Sequence, residues 1–338
     1  MKKEELKKSV EAILKDTEVG IYDINSFFQK EGVLVDVHAG RYSGKATLNP
    51  KVYGVDVEKD EFLSSFRKEY IKGERISFLP ASIEKKFISI ETATRIKKKE
   101  MALGFDDRFM PIEIFKEFYD FFKKQQEKYN EVKEEVLVQW GGLRTSFVNN
   151  LDMMLKNLNS IDAETIKKSI LKKAPTLERF EESCKLEINV MAFPTSSNLN
   201  ILDETLSEEV RESIEKKSLE TVNEVLGNIS KDAFSVINNA LLKYDETETF
   251  KKATIDSILR LRERIGKRNI LKHSTIKQIE NSLNFKDTSN EYICEMLEET
   301  LVLIYGFAKS IDIIDYLDLN NSYIEEEMLD SLSNSLDI

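Results

Sequence analysis

Histidine is nearly missing from this chain of 338 residues, where His38 and His273 serve the whole length. Neither stands near a nucleophile elbow of the G-x-S-x-G kind, which argues against Ser–His or Cys–His catalysis. His38, with no partner motif beside it, reads as a packed or surface side chain rather than a ligand. Cysteine is equally scarce. Cys184 and Cys294 lack the paired spacing of a zinc or redox motif, so free thiols in a reducing compartment are expected. Five prolines and 12 glycines are too few for the turns of an all-β fold. Long apolar runs are lacking too. The nearest, Leu301–Ala308, falls far short of the eighteen or so residues of a membrane helix and reads as core. The start, Met1–Lys15, mixes charge throughout, which predicts an amphipathic helix instead of a signal peptide and a cytoplasmic protein without a membrane span.

Positive charge is in deficit as well. A net charge of −11 argues against a general nucleic-acid coat, which needs a positive field to displace counterions from phosphates. The excess is concentrated: Ser310–Ile338 holds eight acids and no Lys or Arg. Ile324, Met328, Leu329, Leu332 and Leu336 give this tail the pattern of an amphipathic acidic helix able to dock on a basic or apolar groove, with disorder after about Asn320 as the alternative.

What is present is a long helical seam. From Pro111 to about Leu158, Phe115, Phe118, Phe122, Tyr129, Val132, Val136, Trp140, Leu143, Phe147, Met154 and Leu158 recur at steps of three, four or seven. Gly141-Gly142 interrupts it, and each Gly weakens a helix by about 1 kcal/mol relative to Ala, so either a break after Trp140 or a close helix crossing is expected there. Earlier, Gly32–Tyr42 and later Lys185–Phe193 have the β-branched or alternating pattern of strands, the second burying Leu186, Ile188, Val190 and Ala192 on one face. Ser43–Thr47 reads as a turn and Asp60–Ile71 as a helix ending near Gly73. A helix follows from about Ala81 to Met101, whose late run Arg95, Lys97, Lys98, Lys99 matches the helix dipole. Asp106-Asp107 sits in a loop, and adjacent acids alone make weak metal ligands. From about Asp203 the remainder reads as consecutive helices without a fixed repeat.

The fold class expected is therefore mainly α: a long-helix antiparallel bundle or coiled coil with a small sheet from strands near 33–42 and 185–193. The expected domains are 1–200, a C-terminal bundle at 201–319 and an acidic tail at 320–338. Within Lys251–Lys277, nine basic residues stand against Asp256 and Glu263. Arg260, Arg264 and Arg268, spaced i, i+4, i+8, project from one face. With Lys267 and Lys272 they are the candidate site for phosphates or a partner's carboxylates, the alternative being internal pairing. Aromatics for base stacking do not interleave with them.

The order of features resembles domain-of-unknown-function family 3150, a family of phage, plasmid and bacterial proteins. The residues carrying the resemblance are Val33-Leu-Val-Asp-Val-His38 with Gly40, the Leu103-Gly104 to Met110-Pro111 passage, Tyr129 through Trp140, Phe180 to Val190, and Thr254–Leu261. The resemblance implies a neighbour of MoxR-type AAA ATPases and von Willebrand A-type proteins, hence an adaptor or assembly role, and it supplies no catalytic residue. The expected function is a non-enzymatic phage- or plasmid-type interaction protein, needing no cofactor or metal, whose partner is a protein such as an AAA ATPase or a copy of itself. Two other readings stand beside it: a nucleic-acid-associated factor using the basic 251–277 helix, and a phage structural or helical pore-forming protein.

Overall fold

The computed structural model describes residues 10–11, 13–17, 24–47, 68–72, 75–156, 160–194, 204–285 and 289–334. In chain order the elements are α1 (Ile24–Glu31), β1 (Gly32–Gly40), β2 (Ala46–Thr47), β3 (Ile71–Lys72), β4 (Arg75–Ile76), α2 (Ala81–Met101), β5 (Phe109–Pro111) and α3 (Ile112–Leu155). They are followed by α4 (Ser160–Lys173), α5 (Leu177–Ser183), β6 (Lys185–Ala192), α6 (Glu204–Thr247), α7 (Lys252–Arg268), α8 (Ser274–Ser282), α9 (Asn290–Ser310), a 3-10 turn (Ile314–Tyr316) and α10 (Glu326–Asn334). The protein is mainly α with two small three-stranded sheets, ordered β5-β1-β6 and β2-β4-β3. β1 and β6, distant in sequence, share the first sheet, as their composition suggests.

The chain divides into two compact units made of interleaved segments rather than the consecutive spans 1–200, 201–319 and 320–338. Unit one comprises Met1–Val35, Lys99–Glu117 and Val190–Ile338; unit two comprises Asp36–Lys98 and Phe118–Asn189. β1, α2, α3 and β6 each pass from one unit into the other, so no linker separates them.

Unit two is organised on the aromatic side of α3. Phe118, Phe122, Tyr129, Val136, Trp140, Phe147 and Met154 are buried, at the helical spacing that the sequence displays. Trp140 packs on Phe78 (ring centroids 4.9 Å) and Phe180 (5.3 Å), and Phe147 meets Phe78 at 5.4 Å. Among the buried polar groups, Glu84 accepts from Lys72 Nζ (3.0 Å) and Ser77 Oγ (2.9 Å). Burial alone would raise its pKa, but these two bonds and the Lys45 charge hold the carboxyl below the usual range. The stretch Ser43–Thr47 does turn at Gly44 (φ 62°), where a Cβ would lie 2.4 Å from Pro175 Cδ. Its last two residues enter β2.

Three expectations are corrected. First, α3 runs unbroken for 44 residues, about 66 Å, through Gly141-Gly142, and a Cβ at either glycine meets nothing within 4 Å. There is neither a break nor a close crossing. Both glycines are exposed, so Gly141→Ala and Gly142→Ala are each expected to stabilise the protein by about 1 kcal/mol in urea denaturation. Second, β6 buries only Leu186, with Ile188 partly covered; Val190 and Met191 are exposed. Third, Ile71 belongs to a strand, while most of the expected 60–71 helix lies outside the described residues. Pro111 closes β5 one residue before α3 begins.

Unit one packs α6 against α7 and α9, with Val222, Val225, Leu226, Phe234, Ile237, Ile258, Leu261, Leu297 and Leu301 in the core. Phe28, Phe109 and Phe193 form an aromatic cluster beneath the paired β1 and β5, whose register matches Leu34 to Phe109. The acidic tail takes the helical alternative from Glu326 to Asn334. Leu329 is fully buried, and Asp330 accepts from Tyr305 Oη (2.6 Å) and Lys309 Nζ (2.7 Å) on α9. Among the described residues no helix is long and apolar enough to cross a membrane, and Leu301–Ala308 lies in the packed part of α9.

Candidate functional site

α6 and α7 are joined by Glu248–Lys251 and lie side by side as an antiparallel hairpin, so each residue of α7 has a fixed counterpart on α6. Asp232 sets the register. Arg264 donates to it through Nε (3.1 Å to Oδ2) and Nη2 (3.3 Å to Oδ1), a two-pronged pairing suited to guanidinium and carboxylate. Arg268 reaches the same carboxylate through Nη1 (2.8 Å) and donates through Nη2 to the Glu100 carbonyl. It is only 8% exposed. Burial pushes its pKa down against the pull of Asp232, yet a guanidinium keeps its proton, so a buried positive charge is held here by one carboxylate and one carbonyl.

The five candidate residues therefore separate. Arg264 and Arg268 converge on Asp232 and are internally paired. Lys267 lies 3.3 Å from Glu117, with both side chains about half exposed, a contact worth little in water. Lys272 stands beyond α7 in a left-handed turn (φ 53°) leading to α8. Arg260 alone lines an open groove.

That groove, about 590 Å³, runs between α6 and α7 and is lined by Val236, Asn239, Ala240 and Lys243 on one side and Ala253, Thr254, Ser257, Ile258 and Arg260 on the other. The same antiparallel register explains it. One turn along from the Asp232–Arg264 pair, α6 places Val236 beside Arg260, and after it Asn239 and Ala240, none of which carries an acid. Small side chains at Ala240, Ala253 and Ser257 leave the channel open. Lys243 closes the far end beside the start of α7, roughly 10 Å from Arg260 at 1.5 Å per helical residue. Lys251, the residue before α7, provides no side-chain cap, so the positive end of that helix dipole adds to Lys243 and Lys252. Lys243, Lys251, Lys252 and Arg260 make no ion pair among the described residues. The sequence pattern of α7 alone exposes Arg260; Lys243, Asn239, Thr254 and Ser257 enter only when a partner helix is set in register, for which Asp232 was the available signal.

Other chemistry-bearing residues are engaged elsewhere. Phe105, Asp106 and Asp107 adopt three successive left-handed conformations (φ 56°, 57° and 59°), with the Asp106 amide donating to Glu224 and Lys217 bridging Asp106 (3.0 Å) and Glu224 (3.2 Å). Among the described residues no group of His, Cys, Asp and Glu has the arrangement to hold a metal ion. His273 is buried and caps α8, its Nδ1 accepting from the Thr275 amide, and burial lowers its pKa. His38 is exposed. Both cysteines are free thiols, and burial pushes the Cys184 thiol up to about 11, unfavourable for a nucleophile. In the basic run, Arg95 and Lys99 are exposed and Lys98 lies 3.7 Å from Asp36.

The chain matches no protein-family model, no curated protein and no solved structure.

Proposed function

We propose that this chain is a non-enzymatic binding protein, an adaptor or self-assembling subunit, which takes an acidic protein surface into the α6–α7 groove. The supporting observation is the contrast along one face of α7. Arg264 and Arg268 are consumed by Asp232, whereas Arg260, one turn earlier, has no acid opposite it and faces an open channel with Lys243 at its other end. Unpaired cations beside a channel that mixes Val236, Ala240 and Ile258 with Asn239, Thr254 and Ser257 suit an acidic segment that meets the charges with its carboxylates. The resemblance to domain-of-unknown-function family 3150 leads to the same class: a phage- or plasmid-type adaptor for which a MoxR-type AAA ATPase is a candidate partner. A cytoplasmic location, with both thiols reduced, belongs to this reading.

A nucleic-acid role draws on the same four cations. Engagement of Arg264 and Arg268 shortens the track available to phosphates, and the net charge of −11 opposes long-range attraction. The test is capture of the tagged full-length chain from its native cells, in parallel with the double variant Lys243→Glu, Arg260→Glu. A specific protein, or a second copy, is expected with the unaltered chain and is lost with the variant. A lone chain in both captures would overturn the proposal, and so would gel-shift binding to nucleic acid that falls steeply with salt. Rings or filaments in electron micrographs would favour the structural or pore-forming reading instead.

A further inference from the structure

We infer that the protein segment taken into the α6–α7 groove is phosphorylated, with the phosphoryl group of a phosphoserine or phosphothreonine seated over Ser257, an inference that rests on the binding role proposed above and names the chemistry of its partner. Thr254, Ser257 and Arg260 follow one another at steps of three along α7, so the channel meets one of them on each successive turn. The hairpin register that sets Asp232 beside Arg264 puts Asn239 across from Ser257, with Lys243 one turn further along α6. Donors from both helices therefore surround one point, the Ser257 hydroxyl. Among the described residues no acid lines the channel.

The hydroxyls are set apart by what they do not do. Ser218, Thr221 and Thr300, inside other helices of the same unit, donate back to the carbonyl four residues earlier. The Thr254 and Ser257 side chains make no hydrogen bond among the described residues, nor do those of Lys243 and Arg260. Asn239 gives one amide N–H to a long contact with Ser235, at 3.5 Å, and keeps the other. The guest that fits must take several donors and answer two positive charges at one place. A carboxylate, with a single charge and two oxygens, is already satisfied by one guanidinium, as Asp232 shows with Arg264. A phosphoryl group brings about two charges and three acceptor oxygens, enough to accept from Arg260, Ser257 and Thr254 on one side while Asn239 and Lys243 meet it from the other. The phosphodiester of a nucleic acid carries one charge, and with Arg264 and Arg268 held by Asp232 no run of further cations continues along α7 for a strand to follow.

The experiment is fluorescence anisotropy on the full chain with a labelled acidic peptide in three forms, whose central residue is serine, phosphoserine or glutamate, and with a single-stranded oligonucleotide in parallel. The double variant Thr254→Val, Ser257→Ala removes the hydroxyls and leaves both cations, and Arg260→Ala removes one cation; far-UV circular dichroism checks that each folds. The phosphoserine form is expected to bind roughly ten-fold or more tightly than the glutamate form. The hydroxyl variant is expected to lose that preference while keeping weak, salt-sensitive binding of both, and Arg260→Ala to weaken both. Phosphatase treatment of the native extract is expected to abolish capture of the partner by the unaltered chain. A phosphoserine form that binds no more tightly than the other two, a preference that survives in the hydroxyl variant, or tighter binding of the oligonucleotide would overturn the inference. If phosphatase leaves the captured protein in place and the Lys243→Glu, Arg260→Glu variant still loses it, the groove keeps its binding role and the phosphoryl group is excluded.

Discussion

Asp232→Asn is expected to destabilise the protein by about 3 kcal/mol in urea denaturation, although it removes a single surface-reaching carboxylate. The cost comes from what remains. Arg268 is 8% exposed and holds its charge; asparagine keeps one acceptor oxygen but carries no charge and turns an amide N–H2 toward the guanidinium donors, so the buried cation loses its ion-pair partner and Arg264 loses its two-pronged pairing. Glu117→Gln supplies the comparison. It removes the charge from the Lys267 contact, but both partners there are about half exposed, and the expected change is within about 0.5 kcal/mol. Equal costs for the two substitutions would contradict the assignment of Arg264 and Arg268 to the fold.

Trp140→Ala is the second large effect, at about 3–5 kcal/mol by far-UV circular dichroism in urea. Trp140 is 7% exposed and lies between Phe78 and Phe180, so truncation leaves a cavity that two rings must fill. Val138, two residues earlier on the same helix, is 85% exposed, and Val138→Ala is expected to change stability by less than about 0.5 kcal/mol. The contrast tests whether one side of α3 is sequestered and the other left outside.

Much of this was legible in the chain itself. Periodicity found α3 because an apolar or aromatic residue every three, four or seven positions has no other economical reading, and it found β1 and β6 from β-branched and alternating runs. Gly141-Gly142 misled because local propensity counts against helix at that point. The 44-residue helix absorbs that cost since its seam residues Val136, Trp140 and Phe147 are buried on either side of the glycines. The exposure of Val190 and Met191 was hidden because alternation specifies two faces but not whether anything covers the second. The interleaved units were hidden too, since a division that passes through continuous helices and strands leaves no linker to read.

The site was half legible. The spacing of Arg260, Arg264 and Arg268 marked a face, but which of the three stays free depends on the acid opposite each, a property of the hairpin register rather than of α7. The acidic tail showed its amphipathic pattern in sequence. That Leu329 turns inward while Met328 turns out follows only from where α9 lies.

The central claim is that this basic face is divided: Arg268 is tied into the fold through Asp232, and Arg260 is not. Urea denaturation of Arg260→Ala and Arg268→Ala, side by side with the unaltered chain, tests it most directly. The expected result is a change within about 0.5 kcal/mol for Arg260→Ala and a loss of roughly 2–4 kcal/mol for Arg268→Ala. Comparable losses for both, or none for Arg268→Ala, would contradict it.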